Sequence, residues 1–211
     1  TEKRFVANFK DGAWDEGALT EDATITLNEC AGVFQYAQTC FEGLKAYTTE
    51  NGDIVCFRPD LNAARMADSC RRLEMPVFPE DKFVEAIAET VRANEDWVPP
   101  YGSGASLYIR PYMFGSNPVI GVKPADEYQF RAFVTPVGPY FKGGAKPITI
   151  KVSDFDRAAP HGTGHIKAGL NYAMSLHAIV TAHEEGYAEN MYLDAATRTK
   201  VEETGGANFI F

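Results

Sequence analysis

The sequence predicts an α/β fold of the α+β type, because strand and helix patterns follow one another along the chain without an internal repeat. Three observations support this prediction: a hairpin pattern over 42–58, two helix patterns over 60–95 and two long strand patterns over 105–138. With 211 residues, 45% of them hydrophobic and 23% charged, the chain is long enough for one large domain or two small ones with real cores.

The first elements are predicted to be strands. Residues 23–28 (ATITLN) alternate apolar and polar side chains, as a half-buried strand does. The runs EGLKAYTT (42–49) and IVCFR (54–58) flank Asn51 and Gly52, a dipeptide that is typical of tight turns. These two runs therefore predict a β-hairpin.

Two helices are predicted after the hairpin. The segment DLNAARMADSCRRL (60–73) has apolar residues at near-helical spacing, and Pro59 followed by Asp60 favours a helix start. A second helix pattern covers DKFVEAIAETVRANE (81–95).

Strand patterns return after the helices and end at a change in composition. The segments ASLYIRPYMFG (105–115) and YQFRAFVTPVG (128–138) predict strands, and the stretch 139–147 is rich in proline and glycine, as linkers are. We therefore predict a small N-terminal domain over 1–140 and a second domain over 141–211.

The second domain begins with a strand pattern at ITIKVSD (148–154), followed by a long loop, a helix over 170–185 and a strand at GYAENMYLD (186–194). The sequence stops at NFIF (208–211), inside an apolar strand-like run whose backbone groups need partners. We therefore expect the sequence to be part of a longer protein.

Composition argues against several classes of partner. A formal net charge of -9 argues against duplex nucleic acid, because phosphate neutralisation needs clustered Lys and Arg. No apolar run approaches the roughly 20 residues of a membrane span, and the start of the sequence lacks the basic-then-apolar layout of a secretory signal. The expectation is a cytoplasmic protein with neither a membrane nor a nucleic-acid partner.

No metal site is predicted. The four cysteines are far apart and form no C-x-x-C pair, which favours free thiols over a zinc knuckle or a disulfide scaffold. His161 and His165 have an H-x-x-x-H spacing, but Gly162 and Gly164 disfavour the helix that would align the two imidazoles.

One lysine lies in an unusual setting. Lys167 is part of HGTGHIKAGLNYA (161–173), where glycines let the backbone bend sharply and approach a bound molecule. A lysine amine becomes a nucleophile when it loses its proton, and with Tyr172 five positions on the stretch suits a Schiff-base site for a planar cofactor. From spacing alone, a lysine in a mobile glycine loop remains the alternative.

Two further segments hold candidate cofactor ligands. In KVEETGGAN, Glu202 or Glu203 precedes a Gly-Gly turn, and such a carboxylate opposite a pyridine nitrogen would keep that nitrogen protonated. Arg65, on the first predicted helix, has the planar donor geometry that binds phosphate. The alternatives are an acidic surface turn and an ordinary helix arginine paired with Asp60 or Asp68.

Six motifs in order resemble the branched-chain amino-acid aminotransferases, which are fold-type-IV enzymes that use pyridoxal 5'-phosphate (PLP). The resemblance covers essentially the whole sequence, and FEGLKAY with YIRP favours this branch over relatives that act on D-amino acids or on aminodeoxychorismate. The motifs are YAQTCFEGLKAY (36–47), FRPDLNAARM (57–66), LYIRP (107–111), PVGPYF (136–141), GHIKAGLNYA (164–173) and VEETGGANFIF (201–211).

The resemblance implies a small α/β domain followed by a larger mixed α/β pseudo-barrel domain, of which 141–211 is the beginning. In the family a helix start and a turn after the glutamate strand also bind the PLP phosphate. That stretch is absent here, so the C-terminal part of the large domain is expected to be missing, with weak PLP retention by these 211 residues alone.

The resemblance also implies a role for each cofactor ligand. Lys167 forms the Schiff base with PLP and moves the proton at the substrate α carbon. Tyr172 hydrogen-bonds the phenolate oxygen of PLP, and Arg65 holds its phosphate. Glu203 rather than Glu202 faces the pyridine nitrogen, because it precedes Gly206 by three positions, as in the family.

For the substrate, the resemblance implies a pocket of aromatic, glycine, tyrosine and arginine side chains, a mix that suits an aliphatic chain and a carboxylate. A period of two along a strand puts Tyr108 and Arg110 on one side of the sheet. The expected pocket residues are Tyr36, Phe41, Gly43, Tyr108, Arg110 and Tyr140.

The implied reaction is transfer of the amino group from L-leucine, L-isoleucine or L-valine to 2-oxoglutarate, giving a branched 2-oxo acid and L-glutamate, in a homodimer. Two alternatives remain open. One is a D-amino-acid aminotransferase or aminodeoxychorismate lyase of the same fold, and the other is an inactive fragment that only dimerises.

Overall fold

The computed structural model describes residues 1–139 and 146–211. The chain divides into two compact units, Thr1–Lys142 and Gly143–Phe211. Each unit has its own β-sheet, of eight strands in the first and three in the second, counted over the described residues. Within those residues, no helix combines the length and the apolar character needed to cross a membrane.

The first unit consists of an antiparallel sheet and three helices, as far as residues 1–139 show. The helices are α1 (Gly32–Tyr36), α2 (Pro59–Arg72) and α3 (Glu80–Arg92), with a 3-10 turn at Glu95–Trp97. The strands are β1 (Arg4–Lys10), β2 (Ala13–Trp14), β3 (Ala18–Thr20), β4 (Thr39–Phe41), β5 (Leu44–Thr48), β6 (Ile54–Cys56), β7 (Ser106–Gly115) and β8 (Tyr128–Val137).

Strands β7 and β8 form the centre of this sheet. They pair over ten residues, and the full order is β2-β1-β8-β7-β5-β6, with β3 beside β1 and β4 beside β7. Both β4 and β5 pair with β7, at different heights. Residues 39–48 therefore run along β7 with one break, at Glu42 and Gly43, where Glu42 N still donates to the Pro111 carbonyl at 2.8 Å.

The core lies between helices α2 and α3 and one face of this sheet. Phe78 stacks on Phe130 with ring centroids 4.0 Å apart, and Phe83 of α3 contacts the same ring. Along β7, Leu107 and Ile109 are fully buried on this face. Because side chains alternate along a strand, the residues between them lie on the opposite, partly exposed face.

The predicted hairpin, the two helices predicted over 60–95 and the two long strands are confirmed. The helices are α2 and α3, and the long strands are β7 and β8. Strands β5 and β6 pair antiparallel, and Gly52 in their turn has a φ of 86°, which favours glycine. Helix α2 begins at Pro59, as the sequence predicts.

The strand predicted at 23–28 is wrong. These residues form no regular element, and Ile25 is exposed. Alternation alone does not make a strand when no neighbouring strand is available to pair with it. The edge beside β1 is occupied instead by β3, which pairs with residues 4–6.

The second unit combines one helix with a small mixed sheet, as described over 146–211. Strand β10 (Glu189–Leu193) is central, parallel to β9 (Ile150–Val152) and antiparallel to β11 (Val201–Thr204). Helix α4 (Gly169–Glu184) packs against β10. Residues 208–211, predicted to be strand-like, have no strand pairing among the described residues.

Candidate active site

Lys167 and Tyr172 lie in direct contact. Lys167 immediately precedes Ala168, the N-cap of α4, and Tyr172 is near the start of that helix. The Lys167 Nζ donates a hydrogen bond to the Tyr172 hydroxyl at 2.6 Å and lies 5.0 Å from the centroid of its ring. The spacing of five residues therefore brings an amine and a phenol together, as the sequence predicts.

The segment around Lys167 is held by buried contacts. Its two neighbours, Ile166 and Ala168, are both buried. Asn171 in α4 donates to the carbonyls of Thr163 (2.7 Å) and Ile166 (3.0 Å), and its Oδ1 accepts from the Thr163 hydroxyl at 2.8 Å. The glycine-rich stretch is thus anchored to the helix, which fixes the backbone on either side of the amine.

A buried arginine connects Tyr172 to the glutamate strand. Arg157 is 5% exposed, its Nη1 donates to the Asn171 carbonyl, and its guanidinium lies 5.0 Å from the Tyr172 ring centroid. Its Nε lies 3.5 Å from Glu203 Oε1 and, within the described part of the chain, has no acceptor in hydrogen-bonding geometry. Arg157 therefore places a positive charge between the phenol and the carboxylate.

The two adjacent glutamates on β11 differ in environment. Glu203 pairs with Tyr192 and is half-buried beside Arg157, whereas Glu202 is exposed at a register shift between β10 and β11. Partial desolvation, then the negative charge of Glu203, raises the pKa of Glu202 above its ordinary value. Gly206 follows the strand and is exposed.

The turn before β11 is fixed by Asp194. Its carboxylate accepts hydrogen bonds from the Thr197 amide and hydroxyl, both at 2.7 Å, and from the amides of Thr199 at 2.9 Å and Lys200 at 2.8 Å. These bonds hold the pKa of Asp194 well below its ordinary value, and the hydrogen bond from the Thr197 hydroxyl has the largest effect. Asp194 thereby sets where β11 begins.

We expect Asp194→Ala to lower the melting temperature of the protein at pH 7. Folding lowers the pKa of this carboxyl. Its contribution to the free energy of unfolding is therefore complete above the ordinary pKa of 3.8 and is lost progressively as the pH falls below 3.8. Thermal unfolding at pH 7 and pH 3, beside the exposed control Asp96→Ala, tests this. A difference from wild type that is equal at both pH values would contradict it.

The partly exposed face of the first sheet holds a cluster of four predicted substrate residues. The Tyr108 hydroxyl accepts hydrogen bonds from Arg110 Nε at 3.1 Å and Nη2 at 2.7 Å. The Arg110 guanidinium also lies 4.5 Å from the centroid of the Phe41 ring. A Cβ on Gly43 would overlap the Tyr108 hydroxyl. The same-side placement predicted for Tyr108 and Arg110 is confirmed.

Two other predicted substrate residues are not part of this cluster. The hydroxyl of Tyr36, at the end of α1, accepts a hydrogen bond from the Gly121 amide at 2.9 Å. Tyr140 lies outside the described residues. The structure therefore brings together Phe41, Gly43, Tyr108 and Arg110.

Arg65 pairs with an unexpected partner. It binds Glu42 through Nε and Nη2, so the alternative in which Arg65 pairs with Asp60 or Asp68 is wrong. Those two aspartates pair instead with the nearby arginines 58 and 71. Glu42 is fully buried, whereas the Arg65 side chain is 52% exposed. Glu42 thus holds the guanidinium of an arginine whose side chain is about half exposed.

Three polar residues that hold the predicted site residues, or the backbone next to them, were not predicted from the sequence: Arg157, Asn171 and Glu42. Each is a polar side chain buried to at least 95%. Glu42 and Asn171 lie within the motifs, beside residues with named roles, whereas Arg157 lies outside every motif. A single sequence does not distinguish a buried polar residue from an exposed one.

No cluster of three or more His, Cys, Asp and Glu residues that could hold a metal ion is present in the ranges 1–139 and 146–211. All four cysteines are free thiols. Buried Cys40 and Cys70 have sulfurs 3.7 Å apart, and their mutual hydrogen bond with burial raises the pKa of Cys40.

Comparison with known proteins identifies close relatives. Residues 39–211 match the family model described as amino-transferase class IV. The branched-chain-amino-acid aminotransferase of Haemophilus influenzae is 51% identical over 99% of this chain, and that of Helicobacter pylori is 50% identical over 99%. The chain spans 62% of the length of each of these relatives.

Solved structures of branched-chain amino acid aminotransferases are also similar to this chain. The Escherichia coli branched-chain amino acid aminotransferase superimposes with a TM-score of 0.75 at 27% identity, over 96% of this chain and 62% of that one. A second branched-chain amino acid aminotransferase, solved with pyridoxamine 5'-phosphate, superimposes with a TM-score of 0.74 at 26% identity, over 96% of this chain and 62% of that one. The predicted mixed α/β fold and the predicted resemblance are confirmed. The chain belongs to the class IV aminotransferases.

Proposed function

We propose that this protein is a PLP-dependent transaminase of branched-chain L-amino acids. The observation that supports this best is the arrangement inside the second unit: an amine 2.6 Å from a phenol, with a buried arginine linking that phenol to a carboxylate. The relatives that carry the name branched-chain-amino-acid aminotransferase support the choice of substrate class.

The residues of the second unit fit the ring of PLP. When bound, PLP supplies an aldehyde that accepts an amino group and a pyridine ring that stabilises negative charge on the adjoining carbon. Lys167 offers the amine and Tyr172 a hydrogen bond at a phenolate oxygen. Glu203 offers a carboxylate for the protonated pyridine nitrogen, and Gly206 lets the backbone approach the ligand.

Lys167 is the residue that moves the proton. We infer that its amine would take up and release the proton at the α carbon of the amino acid. The Tyr172 hydroxyl, which accepts a hydrogen bond from this amine, orients it toward one side. Arg157, whose Nε lies 3.5 Å from Glu203 Oε1, would hold this carboxylate in position opposite the ring nitrogen.

Residues of the first unit are proposed to bind the phosphate and the substrate. Arg65, whose side chain is 52% exposed, would bind the PLP phosphate with its guanidinium. Arg110 and the Tyr108 hydroxyl bind the carboxylate of 2-oxoglutarate or L-glutamate, and Phe41 gives an apolar surface to an aliphatic chain.

The remaining parts of the proposal concern organisation. Residues 1–140 form the small domain, and 141–211 form the beginning of the large PLP-binding domain. Tyr36, Gly43 and Tyr140 complete the substrate pocket. The enzyme acts as a cytoplasmic homodimer, without nucleic-acid or membrane partners.

The test is a substrate comparison with the holoenzyme. With 2-oxoglutarate as acceptor, we expect kcat/KM for L-leucine, L-isoleucine and L-valine to exceed that for D-alanine by at least ~10²-fold, because the pocket contacts must match one hand of the substrate. Activity on D-alanine alone favours the D-amino-acid branch. A dimer that neither binds PLP nor turns over any substrate favours the inactive fragment.

We expect Gly43→Ala to raise KM for the amino acid about tenfold or more. The added methyl group displaces the Tyr108 ring, which breaks its hydrogen bonds to Arg110; overpacking of this kind costs about 1–3 kcal/mol. The matched control is Gly32→Ala, where the added Cβ makes an ordinary 3.4 Å contact with Val119. Equal KM values in the two variants would contradict the role of the Tyr108 position.

A further inference from the structure

We propose that Glu42 is a positioning residue for Arg65, and that it fixes the guanidinium in one orientation for a phosphate monoester. The inference rests on the proposed function, in which Arg65 binds the phosphate of PLP. It adds a residue that touches neither cofactor nor substrate and acts only through the arginine.

The contact between the two side chains is bidentate. Arg65 Nε donates to Glu42 Oε1 at 2.6 Å, and Nη2 donates to Oε2 at 2.8 Å. Two parallel hydrogen bonds fix the plane of a guanidinium as well as its position. A long arginine side chain loses rotamer entropy when it is ordered on a ligand, so fixing it beforehand lowers that cost.

Glu42 is itself fixed from three sides. Its Oε2 also accepts from Asn62 Nδ2 at 2.8 Å and from the Gly43 amide at 3.3 Å, and its own amide donates to the Pro111 carbonyl at 2.8 Å. Asn62 and Arg65 are three residues apart on α2 and therefore point to the same side of that helix. The carboxylate is fully buried, so it has little freedom to follow a displaced arginine.

By its charge alone, Glu42 would weaken the binding of a phosphate to Arg65. A carboxylate beside Arg65 reduces the net positive charge that a phosphate meets, and therefore opposes long-range attraction. A gain in phosphate affinity from Glu42 must then come from geometry. The two effects of Glu42 therefore predict opposite results when its carboxylate is neutralised. Loss of orientation weakens phosphate binding, whereas loss of the negative charge strengthens it.

Glu42 lies between β4 and β5, next to residues of the proposed substrate cluster. Glu42 lies between Phe41 and Gly43, both members of the cluster with Arg110 on the opposite side of the sheet. Odd-numbered residues of this segment face that cluster, and Glu42 faces α2. One short backbone stretch thereby positions groups for both proposed ligands.

The experiment compares PLP with pyridoxal, which lacks the phosphate. Reconstitution of the enzyme after removal of its cofactor gives a dissociation constant for each ligand. For Glu42→Gln, which keeps the shape of the side chain, we expect PLP to bind about tenfold more weakly and pyridoxal to bind unchanged. In an Arg65→Met background, Glu42→Gln should have no further effect on PLP.

Two more variants separate positioning from folding. Asn62→Ala leaves the carboxylate in place and should weaken PLP binding in the same direction but less. Asp60→Asn breaks the exposed Arg58 ion pair on the same helix and should change neither ligand's affinity. If Glu42→Gln does not fold, the Asn62→Ala result decides alone.

The outcomes against the proposal are distinct. Unchanged or tighter PLP binding by Glu42→Gln overturns it, because charge then outweighs orientation. Equal weakening of PLP and pyridoxal also overturns it, because the role is then only structural. If wild type binds neither ligand, the proposed function fails instead.

Discussion

Replacement of Lys167 by alanine is expected to reduce transamination by at least ~10³-fold and to abolish covalent attachment of PLP. The physical reason is that the segment that carries Lys167 is anchored by Asn171 and by buried neighbours, which hold its Nζ 2.6 Å from the Tyr172 hydroxyl. Borohydride reduction of the holoenzyme followed by peptide mapping measures the attachment directly.

Two variants serve as controls for Lys167. Lys151→Ala removes a lysine of the same unit that pairs with Glu185, and it should retain both turnover and labelling. Tyr172→Phe keeps the amine but removes its hydrogen-bond acceptor, so labelling should persist while kcat falls. A reduced peptide that maps to any lysine other than 167 would remove the basis of the proposed function.

The second large effect is expected at the adjacent glutamates. Glu203→Gln should lower kcat by about 10²-fold or more, because a neutral amide no longer holds a proton on the pyridine nitrogen. Glu202→Gln should change kcat by no more than about threefold, because Glu202 is exposed and lies at the register shift. The two substitutions are chemically identical and one residue apart, so each is the matched control of the other.

A spectroscopic readout accompanies the rates. The absorbance of bound PLP should change its pH dependence in Glu203→Gln and not in Glu202→Gln, because only the former alters the charge opposite the ring. The reverse pattern would show that the glutamate register has been assigned incorrectly by one residue.

The sequence predicts elements well where the signal is local. The hairpin at Gly52 and the helix that begins at Pro59 depend on turn and cap chemistry within a few residues, and both form as expected. The strand at 23–28 failed because strand formation depends on a partner far away in sequence. The edge beside β1 is filled by β3 instead.

The same distinction holds for the candidate site. Lys167 and Tyr172 are five residues apart, so their contact follows from local spacing. The pairings of Glu42 with Arg65 and of Arg157 with Glu203 span 23 and 46 residues, and they depend on how strands and helices pack. No local pattern marks them, and only the folded chain shows which carboxylate each arginine binds.

Strand β7 separates core residues on one side from residues of the proposed substrate site on the other. Leu107 and Ile109 hold the helices in place, whereas Tyr108 and Arg110 project from the other side of the same strand. Under the proposed function, substitutions at positions 108 and 110 are therefore expected to change the choice of substrate at a smaller cost in stability than substitutions at the buried positions 107 and 109. A single-residue insertion upstream in β7 would exchange the two sets of side chains and destroy both properties at once.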